Sequence, residues 1–354
     1  MAYIIGIPKE IKAYEKRVAL IPHEVKQIID KNFTVYVETN AGAQAGYTDQ
    51  DYINIGAIIC DSAQELFKNA NVIVKVKEPQ EAEYSLITKD HIIFSFFHFA
   101  GSLPLLQAML QSNSTCIAYE TIQTFDTYPK YPILAPMSVI AGEQSMINAD
   151  KYIDHNPDDH ICIIGAGNVG QAAAYKAKEF GYKNIHLIDK NYAKLSPFKD
   201  EGFHIYEMTD ENLAALVKKS KIVVGSIYNT GEKAKKLIST ALLDTMQDDS
   251  IIMDVAIDQG GMTDYSQPTT VTNPIVMYKN IMIYCVPNIP SQAPTEASIK
   301  ISQAIYPYLC TLLDANSVED AMTQSKEFAS GVNILNGQAK HSSLTPLTSL
   351  LSNV

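Results

Sequence analysis

Long apolar runs are missing from this 354-residue chain. No window approaches the about 18 or more consecutive apolar residues that a membrane-spanning helix needs. Basic charge is also scarce. The 28 Lys and Arg against 39 Asp and Glu leave a net charge of −11, which argues against a nucleic-acid surface. Cysteine is sparse. Cys60, Cys116, Cys162, Cys285 and Cys310 are odd in number, widely spaced and form no CxxC pair. They are expected as free thiols of a cytoplasmic protein, neither disulfides nor metal ligands. The start, MAYIIGIPKEIK, lacks the charged opening and small-residue cleavage site of a signal peptide. Repeats and low-complexity tracts are absent, and an apolar fraction of 46% excludes a disordered chain.

What is present is a βαβ rhythm. YIIGIP and FTVYVE read as strands, with the helix HEVKQIIDK between them. NVIVKV, HIIFSFF and TCIAYE continue the series, with SLPLLQAMLQS helical between the last two. Such alternation predicts a mainly parallel sheet. A second series starts near residue 160 and runs through KIVVGS and SIIMDVA to IMIYCVPN. From about Ala297 the tail reads as largely helical until SGVNILNGQ, returning no further sheet and packing back on the first domain. The expected fold class is therefore α/β with two Rossmann-like domains. Residues 132–295 form a nucleotide domain, inserted into a discontinuous substrate domain of residues 1–131 and 296–354. A ligand is expected in the cleft between them, at the C-terminal ends of both sheets.

The second series opens on ICIIGAGNVGQAAAYKAKEFGYKNIHLIDKN. Gly165, Gly167 and Gly170 make G-x-G-x-x-G directly after a strand and before a helix, with Asn168 and Val169 inside the motif. The first glycine permits the tight turn, the second lets a pyrophosphate approach, and the third lets helix and strand pack closely. Asp189 ends the next strand, where an acid can accept from both ribose hydroxyls and repel a 2′-phosphate. Strand, turn, helix, strand and acid together point to NAD rather than NADP. FAD is disfavoured, because the motif is internal and no second flavin-type segment follows.

Other polar residues share an address at strand ends. Lys75 and Lys77 end one strand and, by alternation, fall on the same face. His98 ends another, and Arg17 follows a polar turn near the start. Asp254 and Asp258 follow the buried strand of SIIMDVA. Taken singly, a lysine is ordinarily solvated, a histidine beside aromatics ordinarily packs in a core, and an aspartate before paired glycines ordinarily caps its turn.

The segments GIPKEIKAYEKRVALIP, VKVKEP, IAYETI, LAPMSVIAG, IGAGNVG, DVAIDQGG and YCVPNIP run in family order across most of the chain. In them the sequence resembles the alanine dehydrogenases, whose family includes the soluble nucleotide-binding part of proton-pumping transhydrogenases. The resemblance implies reversible, NAD-dependent oxidation of L-alanine to pyruvate and ammonium, without a metal, by a homo-oligomer, with a hexamer as its suggested form. Carried over, Arg17 and Lys77 bind the substrate carboxylate, His98 is the acid–base group and Asp258 its acidic partner. Ser138, Asp189 and Asn288 join the glycine turn at the cofactor. The chain departs from the family in lacking a glycine-rich connection before residue 160. It has Val139 where glutamate is usual, Glu143 where arginine is usual, and GSIYNTGEKAKKLI in place of a Val-Leu-x-Pro-Gly pattern; PNIPSQAPTEAS is only partly typical. These changes motivate two alternatives: an opine-type enzyme joining a 2-oxo acid to an amino acid, or a family member that binds nucleotide without turnover.

Overall fold

The computed structural model describes residues 3–227 and 235–351. The chain divides into two compact units, Met1–Met137 with Ala293–Val354, and Ser138–Gln292.

The first unit carries β1 (Ile4–Ile7), β2 (Thr34–Glu38), β3 (Ile58–Cys60), β4 (Val72–Lys77), β5 (Ile92–Phe96) and β6 (Thr115–Ala118), all parallel. Burial on both faces explains why these strands read as continuous apolar runs rather than alternating ones. β6 is buried throughout, and β4 except at Lys77, which is half-buried. Helices α1 (Pro22–Asp30) and α2 (Leu103–Gln111) are two of the crossovers. Each has proline in its first turn, where its missing N–H costs nothing.

The second unit carries β7 (His160–Ile164), β8 (Asn184–Asp189), β9 (His204–Glu207), β10 (Ile222–Gly225), β11 (Ile251–Asp254), β12 (Ile275–Tyr278) and β13 (Ile281–Tyr284). The helices α3 (Leu134–Ala149) and α4 (Asn168–Glu179) precede and follow β7. Ala173, Ala174 and Ala177 of α4 are buried against the sheet, and their small side chains let the helix lie close to it.

The tail departs from the expectation that it returns no further sheet. After the long helix α5 (Pro294–Leu313), β14 (Val332–Leu335) pairs antiparallel with β6, and β15 (Gln338–Ala339) folds back on β14. Asn336 and Gly337, with φ of 50° and 75°, form the turn between them. Positive φ at both central residues suits the twist of a two-residue hairpin, and Asn-Gly is its strongest short signal. The dipeptide was there to read in VNILNGQ.

Among the described residues the sheets run β15-β14-β6-β5-β4-β1-β2-β3 and β12-β13-β11-β10-β7-β8-β9. Counting only the parallel strands of each unit, which leaves out antiparallel β12, both cores share one order, 3-2-1-4-5-6. The chain reverses direction across the sheet between β1 and β4, and again between β7 and β10. Crevices beyond the strand C-termini at such reversals are where doubly wound folds bind ligands.

Candidate active site

In the first unit the polar side chains gather at the β1–β4 reversal. Arg17 lies between β1 and α1 and is 3% exposed; Glu15 is 4% exposed. Arg17 Nε and Nη2 donate to the two oxygens of Glu15 at 2.7 and 2.5 Å, and Nη1 lies 3.2 Å from Met137 Sδ. The segment around Arg17 is fixed to α5. Val18 N–H donates to Ser298 Oγ, and Ile21 N–H to Ser302 Oγ, both at 3.0 Å.

Lys77 ends β4, where the pairing with β5 shifts register between Val74 and Lys77. That irregularity interrupts the strict alternation expected of Lys75 and Lys77. Lys75 is buried, donating to Glu83 Oε1 at 2.8 Å with Glu10 Oε2 at 3.4 Å. Burial opposes the charge of Lys75, but Glu10 and Glu83 more than offset it and raise its pKa. Burial pushes Glu10 up from 4.5 to about 7 although Lys75 pulls it back. Glu10 Oε1 accepts from the Val76 N–H at 2.6 Å, so this buried group anchors the backbone just before Lys77.

His98 follows β5 in the left-handed region, with φ 47° and ψ 46°. Its ring lies parallel to Phe96, with centroids 5.7 Å apart. Packing around the imidazole, then Lys77, Lys12 and Arg17, press its pKa down from 6.5 to about 3. One side of the residue remains open to solvent, which offsets part of that push. The structure thus brings His98, Lys77 and Arg17 into one electropositive cluster. It adds Lys12, itself paired with Glu78. Glu15 and Glu10 were missed in the sequence. A glutamate two residues before Arg17 was the available signal for the first; the second depends on tertiary packing.

In the second unit the glycine turn sits beside the β7–β10 reversal. Gly165 has φ +100°. A Cβ on Gly170 would stand 1.9 Å from Gly165 O, so only glycine fits there. A Cβ on exposed Gly167 would meet nothing within 4 Å. Gly167 is the N-cap of α4 and makes no side-chain cap bond, and Asn168 and Val169 follow in the first turn. Open space at Gly167 and the amides of a helix start fit the pyrophosphate of a dinucleotide. Ser226 Oγ, after β10, donates to Ile164 O and Gly165 O at 2.9 Å and braces the turn.

Asp189 ends β8 and accepts from the Ala166 and Asn191 N–H groups, both at 2.7 Å, which ties it to the glycine turn. Asp258 is exposed in the short helical segment Val255–Gln259. One of its oxygens lies 3.4 Å from the N–H of Asn288, a half-buried residue with φ 56°. Turn capping after β11 falls instead to Asp254, which accepts from Met262 N–H at 2.7 Å and from Ser266 Oγ. Ser138 is half-buried in α3. His98 belongs to the first unit and Asp258 to the second.

The N-terminal domain model of alanine dehydrogenase/PNT matches residues 6–141, and the C-terminal domain model matches residues 153–342. The chain belongs to the alanine dehydrogenase/PNT family. An alanine dehydrogenase of Methanococcus maripaludis is 33% identical, over 96% of this chain and 94% of its own length. One from Mycobacterium tuberculosis is also 33% identical, over 88% of this chain and 87% of its own. A solved L-alanine dehydrogenase superposes with a TM-score of 0.91 at 30% identity, covering 98% of this chain and 99% of that one. Within this alanine dehydrogenase/PNT chain, Val139 is 39% exposed and Glu143 half-buried. Of the loop at 226–231, residues 228–231 lie outside the described residues, and so does the rest of the unusual stretch to 234.

Proposed function

We propose that this protein is an NAD-dependent L-alanine dehydrogenase, converting L-alanine and water reversibly to pyruvate and ammonium. The observation that carries the reading is the joining of Arg17, Lys77 and His98 in one electropositive cluster, in a chain of this family. A 2-oxo or 2-amino acid brings a carboxylate, and Arg17 and Lys77 supply the matching charge. The glycine turn would hold the dinucleotide, with Asp189 at its ribose and Ser138 and Asn288 beside it. Asp189 also disfavours a 2′-phosphate, so NAD is preferred to NADP.

NAD, held at the glycine turn, would supply the hydride acceptor for the substrate Cα once the substrate ammonium has released a proton to solvent. His98 takes a proton from the water that adds to the iminium carbon, returns it to the nitrogen, and takes the hydroxyl proton as the carbinolamine collapses to pyruvate and ammonia, which solvent protonates. Asp258 stabilises the cationic nitrogen. The low pKa of unliganded His98 suits a neutral imidazole at rest. A substrate carboxylate offsets the surrounding cations and raises the ring's pKa back toward the neutral range, where a base is most useful. The free thiols and the absence of a membrane-length helix among the described residues support a cytoplasmic place. Family membership supports a homo-oligomer.

The test is NADH oxidation with pyruvate plus ammonium, in parallel with pyruvate plus lysine or ornithine. Ammonium-dependent turnover is expected. Turnover only with the amino acids would select the opine-type reaction, which the altered loops motivate. NADH binding with neither turnover would leave a nucleotide-binding family member.

A further inference from the structure

Glu120, just past the end of β6, is not among the residues that the reaction above uses. Its carboxylate spans two consecutive backbone amides of the neighbouring strand end. The His98 N–H donates to Oε1 at 2.6 Å, and the Phe97 N–H is 3.3 Å from Oε2. These are the amides at the point where β5 leaves the sheet and His98 takes a left-handed conformation, φ 47°. A non-glycine residue holds that conformation only where its surroundings over-determine it. Parallel stacking on Phe96 orients the ring; among the described residues, the Glu120 carboxylate is the side chain that bonds the Phe97 and His98 amides.

We infer that Glu120 is the positioning residue for His98, holding the imidazole in its working orientation through the two amides without touching substrate. The inference rests on the assignment of His98 as the acid–base group. Burial raises Glu120 from 4.5 to about 7, while the His98 and Phe97 amides and Lys77 favour its ionised form. Lys77 at the end of β4, His98 just past β5 and the adjacent Tyr119, on whose phenol Glu120 acts, are charged and titratable groups beside it. Protonation would remove the charge from the grip, so the hold is firm above neutrality and loosens as pH falls through about 7. Sequence reading passes over Glu120, because nothing in AYETI says which amides its side chain reaches.

The experiment compares wild type with Glu120→Gln and Glu120→Asp, each first checked for wild-type melting and NADH binding. Histidine labelled with 13C at Cε1 reports the eight ring resonances. His91 serves as the internal control: its Nδ1 accepts from Thr88 N–H and its Nε2 bonds Phe67 O, away from Glu120. In Glu120→Gln the His98 resonance and its titration should move while those of His91 stay. The kcat for pyruvate reduction should fall about tenfold to a hundredfold with KM within about twofold, the signature of a misplaced acid–base group rather than a lost grip. The acid side of the kcat/KM profile should also lose one ionisation. Glu120→Asp keeps the charge and should recover part of kcat; if Glu120→Gln does not fold, this variant carries the comparison.

A folded variant whose His98 resonance is unmoved overturns the inference, whatever its turnover. So does one whose His98 moves while kcat and the pH profile stay as in wild type, or whose loss falls on KM alone. Failure of the parent reading looks different: His98→Gln would then keep full turnover, and the Glu120 variants would still show whether the ring had shifted.

Discussion

Arg17 and Glu15 form a pair that complicates the most obvious experiment on this site. Both are almost fully buried, and Glu15 takes the Nε and Nη2 donors of the guanidinium. Removing Arg17 alone takes the counter-charge from a buried carboxylate that keeps the Lys16 and Arg17 backbone N–H groups, and breaking such a buried pair typically costs about 3–5 kcal/mol. Arg17→Ala is therefore expected to melt earlier and to use pyruvate poorly, and the two losses cannot be separated in that variant. The double variant Glu15→Ala/Arg17→Ala should regain much of the stability and none of the pyruvate kcat/KM. Thermal melts of the double-mutant cycle, read beside pyruvate kinetics, check this. Equal melting of wild type and Arg17→Ala would show that the pair contributes nothing to the fold.

Strands with strong β-branched runs were legible at the scale of elements. YIIGIP, FTVYVE, NVIVKV, HIIFSFF, TCIAYE and ICII all fall on observed strands, because buried parallel strands are written as continuous apolar runs. Three others, β3, β9 and β12, are short and partly exposed, so their composition resembles that of loops. The tail hairpin was missed because its strands are brief and follow a long helical pattern, although Asn336-Gly337 marked the turn. Of the site, the glycine turn and its acid could be read because their spacing is local. Glu10 and Glu120 could not, since their partners lie 66 and 22 residues away in sequence. The hairpin also gives a direct test. A Cβ on Gly337, at φ +75°, would lie 2.7 Å from Asn113 Oδ1 and 2.9 Å from Leu110 O. Gly337→Ala should lower the unfolding midpoint in denaturant, a loss of about 1–3 kcal/mol from backbone strain and crowding together. An unchanged midpoint would mean that the turn is not held as described.

Across the whole molecule, buried histidines and buried carboxylates act on stability in opposite senses as pH falls. In the second unit His160, His186 and His204 stack across β7, β8 and β9, with Tyr206 against His186. Burial, then Lys219, His204 and His160, press His186 from 6.5 to about 3, and His160 is lowered too. Below about 6.5 the unfolded chain protonates His186 while the folded unit does not, so its stability falls as pH drops toward 3, and the lowered His160 acts in the same direction. Glu10 and Glu120 of the first unit, raised to about 7, bind protons more tightly when folded. Their contribution grows as pH falls from 7 to 4.5, though His98 opposes it. His186→Phe should lose about 1–2 kcal/mol less stability than wild type between pH 6.5 and 5, because each tenfold difference in proton affinity is worth about 1.4 kcal/mol. Thermal melts at the two pH values decide; parallel losses would clear the histidine stack of any part in acid sensitivity. The pairing of β14 with β6 has a consequence for how the protein is made. Ile117 meets Val332 only after more than two hundred intervening residues have been translated. At about 5–20 residues per second, the ribosome leaves the β6 edge without its final neighbour for roughly 10–40 s. The second unit, which is one continuous stretch, emerges whole in that interval. The nascent first sheet must therefore wait, with an apolar edge uncovered, for the last part of the chain to arrive.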